Sequence, residues 1–132
     1  MTLFISTTAR NAATDAVVDL LDAGGAGSIE IRTGTQPADP GTAATGTLLV
    51  TLALSATAYG ASVTGTATLN AVTSGTAVAS GTAGWFRAKS GAGTAIFDGA
   101  VGTTGAELNL NSTAVISGGS VGVNSGSFTT PA

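Results

Sequence analysis

The sequence predicts a mainly β domain, either an antiparallel β-sandwich or a jelly-roll-like fold, that begins with one α-helix. One segment near the N-terminus has helical spacing, many short segments are apolar, and Gly, Asn and Ser separate the short segments at intervals of roughly ten residues. The length of 132 residues fits one domain over residues 1–132.

The helix is predicted over residues 8–22, and residues 1–7 precede it as an N-terminal arm. Ser6 offers a side-chain oxygen for the N-cap, and Gly24 with Gly25 supply the positive φ angles that end a helix. Apolar residues recur at spacings of three and four, with carboxylates on another side. We expect this apolar stripe to cover the β domain; it consists of Ala9, Ala12, Ala13, Ala16, Val17, Leu20 and Leu21.

The β-sandwich is predicted over residues 28–128. Ile29 and Ile31 alternate with Glu30 and Arg32, which is the pattern of a half-buried strand. A hairpin is predicted from residues 83–89 and 95–101 around a glycine-rich loop. Other strands are expected at residues 47–54, at residues 63–73 with a bulge at Gly65, and in three short segments marked by Leu108 and Leu110, by Val115 and Ile116, and by Val121, Val123 and Phe128.

The composition excludes several classes of function. Only 8% of the residues are charged and the net charge is -3, so four cations cannot neutralise a row of phosphates, and we expect no nucleic-acid partner. The chain has no Cys and no His, which removes disulfides, ordinary zinc sites and imidazole catalysis. No apolar run approaches the length of a membrane span, and the N-terminus does not resemble a secretory signal. We therefore expect no metal, no cofactor and no membrane partner.

Three groups of residues come closest to a chemical site. Lys89 adjoins Ser90, but adjacent strand residues point to opposite faces and make a poor catalytic pair. Asp98 and Glu107 could converge as paired carboxylates, but the favoured explanation is a turn Asp before Gly99 and a surface Glu. An acidic ridge on the helix, most simply a solvated one, consists of Asp15, Asp19 and Asp22. We expect the protein not to be an enzyme.

The most informative grouping lies in the first strand of the predicted hairpin. Alternation places Trp85, Arg87 and Lys89 on one face and Phe86 on the other. Because two cations do not face a dry core comfortably, Phe86 is the expected core residue, and Trp85 with Arg87 has the composition of a binding interface. Alternatively, a loop or the helix covers Trp85 within the monomer. Asp98 of the partner strand could pair with Arg87, as an exposed pair worth below about 1 kcal/mol.

Five segments carry a resemblance to a known group of proteins. They are STTARNAATDAVVDLLD at residues 6–22, IRTGTQP at 31–37, GTAGWFR at 81–87, FDGAVGT at 97–103 and LNLNST at 108–113. Together they resemble small virion-associated proteins encoded among the head and tail genes of tailed bacteriophages and prophages.

The resemblance implies a structural role in the virion, as a capsid decoration or cement protein made in the bacterial host cytoplasm. The partners it implies are the major capsid protein and further copies of this chain, with a trimer as the first expectation. The contact residues expected are Trp85, Arg87 and Lys89, with Leu3, Phe4 and Ile5 as an arm that docks on a neighbour. The alternatives are a tail or connector component and, from a different class, a module that binds a glycan or host surface.

Overall fold

The computed structural model describes residues 3–130. The helix α1 spans Thr7–Asp19 and continues as one 3₁₀ turn, Leu20–Asp22. Eleven strands follow: β1 (Ser28–Arg32), β2 (Leu48–Ala53), β3 (Thr66–Thr68), β4 (Gly75–Thr76), β5 (Gly81–Thr82), β6 (Trp85–Lys89), β7 (Ala95–Gly102), β8 (Leu108–Leu110), β9 (Ala114–Val115), β10 (Ser120–Val121) and β11 (Val123–Thr129). The prediction of a mainly β fold with one N-terminal helix is confirmed.

Seven strands form one sheet in the order β2-β1-β6-β7-β8-β11-β3, and β4 pairs with β10 and β5 with β9 in two short ribbons. The sheet is mixed, because β7 and β8 run parallel where Val101 faces Leu108. Residues 103–107 loop out between these strands, so only the end of β7 meets β8. Residues of the sheet and of both ribbons share one hydrophobic core, as expected of a sandwich.

The predicted caps of the helix are present. The Ser6 side-chain oxygen accepts a hydrogen bond of 3.1 Å from the backbone N–H of Ala9. Gly24 and Gly25 follow the 3₁₀ turn with φ angles of 80° and 118°. These local signals therefore set both ends of the helix.

The prediction of one long strand over residues 63–73 is wrong. Thr64 and Gly65 both have positive φ, 51° and 78°, and the backbones of Val63 and Thr66 exchange two hydrogen bonds of 2.9 and 3.0 Å. Positive φ at both central residues is the geometry of a two-residue hairpin turn. Gly65 is thus part of a turn rather than a bulge, and it leaves only the three-residue strand β3.

The hairpin of β6 and β7 is confirmed, and it lies at the centre of the sheet next to β1. Its tip packs against the end of the helix, where the N–H of Gly91 donates to the Leu21 carbonyl and that of Ala92 to the Ala23 carbonyl, both at 3.2 Å. The hairpin therefore links the sheet to the helical segment.

Candidate interaction surface

Trp85, Arg87 and Lys89 lie on the sheet face opposite Phe86, as the alternation predicts. In the antiparallel register, Arg87 of β6 faces Glu30 of β1 on one side and Asp98 of β7 on the other. Directly opposed residues of antiparallel strands place their side chains on the same face. This face therefore gathers six polar or aromatic side chains: Glu30, Arg32, Trp85, Arg87, Lys89 and Asp98. We call it the charged face.

The predicted pair of Arg87 and Asp98 is present, but it is buried rather than exposed. Nε and Nη2 of Arg87 donate to the two Asp98 carboxylate oxygens at 2.8 and 3.0 Å. The two side chains are 6% and 2% exposed. The hydrogen bond to Asp98 raises the pKa of Arg87 against the effect of burial, and the charges of Asp98, Glu30 and Asp39 act in the same direction. Removing one partner of this buried pair therefore costs more than it would for the exposed pair that was expected.

Glu30 joins the two remaining cations of the charged face. Its carboxylate accepts hydrogen bonds from Lys89 Nζ at 3.0 Å and from Arg32 Nη2 at 3.2 Å. Burial would raise the pKa of Glu30, but the hydrogen bonds and charges of Lys89 and Arg32 outweigh it and hold this pKa below its usual value. The partly exposed Lys89 is thus already engaged within the chain.

The expectation that Trp85 offers an exposed contact is wrong, and the alternative of a cover within the monomer is correct. Trp85 is 1% exposed, and its indole N–H donates to the Thr33 carbonyl at 3.2 Å. Thr33 begins the connection between β1 and β2. The Arg87 guanidinium lies 5.3 Å from the centre of the indole ring, as a cation–π contact. Trp85 and Arg87 are therefore buried parts of the fold and present no surface to a partner.

The N-terminal residues behave differently, because the described part of the predicted arm lies open to solvent. Leu3 is 87% exposed, Phe4 is 79% exposed and Ile5 is 43% exposed. From here on, the name N-terminal arm is used for Leu3–Ile5 alone, the apolar part of the predicted arm. Met1 and Thr2 lie outside the described residues. Three large apolar side chains in succession are costly to leave in water, so the arm is a candidate for contact with another protein.

The inward side of the helix, which also buries the apolar Val18, holds the rest of the chain through polar side chains. Asn11 Oδ1 accepts from the Gly65 N–H and Asp15 Oδ1 accepts from the Ser62 N–H, each at 2.8 Å. Thr14, which is fully buried, donates its hydroxyl to the Gly65 carbonyl at 2.9 Å. These side chains satisfy the backbone of the turn that precedes β3 and fix the rotation of the helix.

The predicted apolar stripe of the helix therefore faces mostly away from the core, contrary to expectation. Val18 is buried in its place, and Leu21 is the only stripe member that is fully buried. Leu20 is 52% exposed. The exposed members are Ala9, Ala12, Ala16 and Leu20, which we call the outer stripe. These residues form one stripe, as the spacing predicts, but the stripe lies on the side of the helix opposite to the one expected.

Three of the four residues considered for catalysis, Ser90, Lys89 and Asp98, are engaged in structural contacts. Ser90 Oγ accepts from the Thr94 N–H at 3.2 Å, while Lys89 pairs with Glu30. Asp98 is held by Arg87, whereas Glu107 is exposed. Both residues line one surface depression of about 180 Å³, together with Phe86, Phe97 and Phe128. Among residues 3–130, no group of three acidic side chains is placed to hold a metal ion.

Comparison of the chain with protein-family models, with curated proteins and with solved structures found no match. Within the described part of the chain, no helix is both long enough and apolar enough to cross a membrane.

Proposed function

We propose that the chain is a non-enzymatic structural protein of a tailed-bacteriophage particle, where it decorates the capsid and stabilises it. The partners we propose are the major capsid protein and, within a homo-oligomer such as a trimer, further copies of this chain. The proposal places the protein on the capsid surface. Its starting point is the resemblance of five segments to small virion-associated proteins.

One structural observation supports a role in assembly: the exposed N-terminal arm. Phe4, at 79% exposure, precedes a capped helix and projects a large aromatic side chain into solvent. Fully burying one such side chain is worth about 1.5 to 3 kcal/mol. An arm of three such residues can therefore contribute substantially to binding a neighbouring protein.

The charged face supports the same proposal by a different route. Its ion pairs join β1, β6 and β7, and their side chains are largely buried. Charge networks of this kind favour one arrangement of strands, which suits a protein that presents a fixed surface in many copies. We therefore assign the charged face the role of holding the sheet rigid, while other parts of the protein contact the particle.

The glycan-binding alternative loses the observation that favoured it. It rested on Thr-rich loops and an exposed Trp85, and the second of these is absent, because the indole is buried and donates to the Thr33 carbonyl. We retain the tail or connector component as the second candidate, because an apolar arm would serve docking there equally well.

The copy number of the protein in purified particles tests the proposal. Particles of the phage or induced prophage that encodes the chain would be quantified by mass spectrometry against the major capsid protein. A ratio near one per capsid subunit, or a fixed large fraction of it, is the result expected for a decoration protein. A few copies per particle would assign it to the tail or connector, and its absence from the particle would refute the structural role.

A further inference from the structure

The cations of the described chain are all used in internal contacts. Arg10 Nη2 donates to the Thr130 carbonyl at 3.2 Å. The other three cations bind Glu30 or Asp98 on the charged face. Because these cations are used inside the protein, it presents few positive charges to a partner.

The acids of α1 and of the 3₁₀ turn, in contrast, are paired with no cation in the described part of the chain and lie beside the outer stripe. Asp19 is exposed and has no hydrogen-bond or ion-pair partner among residues 3–130. Asp15 and Asp22 each use Oδ1 to accept one backbone N–H, from Ser62 and Ala58, and remain partly exposed. An apolar strip with an acidic border thus runs along the free side of the helix.

The spacing of the outer stripe suits insertion into a groove. Its members follow each other by three, four and four residues, so they stay on one side over about 16 Å of helix. The alanines let a partner approach the helix backbone closely, and Leu20 adds a large side chain at the far end. The N-terminal arm supplies three more at the near end.

Exposed alanines are common on helices, and single exposed apolar residues are normal on protein surfaces. The outer stripe differs in two respects. Large apolar side chains lie at both ends, and hydrogen bonds from Asn11 and Thr14 to Gly65 fix which side of the helix faces outward.

We infer that the N-terminal arm and the outer stripe of α1 form one docking surface, and that its occupant is a different protein of the particle with an apolar groove bordered by Lys or Arg. The inference rests on the proposed function and names the partner chemistry for it. Charge complementarity selects this occupant. A second copy of the chain would bring one acidic border against another, and every Lys and Arg among residues 3–130 is already used in an internal contact.

Binding to particles that lack the protein tests the surface. Purified protein would be added back to particles from a deletion strain, and the dissociation constant measured. We expect Phe4→Ser and Leu20→Ser each to weaken binding about tenfold or more, because each removes a large apolar contact. Ile116→Ser is the matched control, since Ile116 is 72% exposed in a different part of the fold, and it should change binding less than about twofold.

The charge of the occupant is tested at Ala16, in the middle of the outer stripe. Ala16→Lys and Ala16→Glu add side chains of similar length and opposite charge. A basic groove predicts that Ala16→Lys weakens binding more than Ala16→Glu, and that Asp19→Asn reduces the sensitivity of binding to salt. Equal effects of Ala16→Lys and Ala16→Glu would overturn the assignment of a basic partner.

The remaining outcomes separate this inference from the proposed function. Wild-type binding with no difference between Leu20→Ser and Ile116→Ser would overturn the docking surface and leave the particle role intact. Failure of the wild-type protein to bind the particle would refute both. Self-association would be measured by analytical ultracentrifugation. If Leu20→Ser abolished it and Ile116→Ser did not, the occupant of the surface would be a second copy of the chain. Circular dichroism and thermal melts of each variant would confirm that it folds.

Discussion

The hydroxyl of Thr14 donates a hydrogen bond of 2.9 Å to the carbonyl oxygen of Gly65, 51 residues away in sequence. Because its one proton is used there, its contact of 2.6 Å with the Thr130 hydroxyl has Thr130 as the donor. Thr14 therefore ties the polar side of α1 to the turn before β3 and to the residue after β11. This connection keeps the outer stripe on the free side of the helix.

Replacing Thr14 by Val should lower the free energy of unfolding by about 1 to 2 kcal/mol, because one buried and one partly buried hydrogen bond are lost with little change in volume. Chemical denaturation measures this change. Thr8→Val is the matched control in the same helix, at an exposed position, and should shift stability by less than about 0.5 kcal/mol. Equal effects of the two substitutions would contradict the packing of α1 through its polar side.

Breaking the buried pair of Arg87 and Asp98 should be strongly destabilising. Arg87→Met leaves the Asp98 carboxylate, which is 2% exposed, without its cation, and we expect a loss of about 3 to 5 kcal/mol in denaturant melts. Arg32→Met should cost about 1 kcal/mol or less, because Lys89 still binds Glu30 and Arg32 is more exposed. Combining Arg87→Met with Asp98→Leu should restore much of the lost stability, because it removes the unpaired carboxylate. If the double variant were no more stable than Arg87→Met, the unpaired charge would not be the cause of the destabilisation.

Trp85 is the only Trp of the chain, so its fluorescence reports directly on its burial. We expect blue-shifted emission and weak quenching by acrylamide in the native protein. Trp85→Ala should destabilise the fold by about 3 to 5 kcal/mol, and Trp85→Phe by less, since the cavity is smaller. Strong quenching of the native protein, together with a stable Trp85→Ala variant, would return Trp85 to the surface.

Glu30 gives stability a pH dependence whose sign follows from its lowered pKa. The unfolded chain protonates Glu30 near its ordinary value of 4.5, while the folded protein protonates it only at lower pH. Its contribution is therefore complete above pH 4.5 and is lost as the pH falls through the folded-state value. Glu30→Gln should cost about 2 kcal/mol at neutral pH, and urea melts at decreasing pH should show the difference narrowing in acid. A constant difference down to pH 3 would contradict the lowered pKa.

The features that the sequence predicted well have local causes. The central hairpin follows from alternation in two adjacent segments, and that alternation also places Arg87 opposite Asp98. The helix boundaries follow from Ser6 and the two glycines after the helix. Each signal is contained within a few residues of the element it sets.

The features that the sequence missed depend on distant contacts. Burying an alanine methyl gains only about 0.8 kcal/mol, so hydrogen bonds from Asn11, Thr14 and Asp15 to a remote turn decide how α1 is rotated. The cover over Trp85 comes from the connection after β1, whose path has no periodic signal. The exposure of the N-terminal arm could therefore be predicted from the sequence, whereas the exposure of the outer stripe could not.

Site-specific photo-cross-linking in assembled particles tests the docking surface most directly. A photoreactive phenylalanine analogue would replace Phe4 or Leu20 in separate variants, with Ile116 as the control position of comparable exposure. We predict cross-links from positions 4 and 20 to a different protein of the particle, at peptides that contain Lys or Arg, and none from position 116. Cross-links from position 116 alone, or from positions 4 and 20 only to other copies of this chain, would contradict the account.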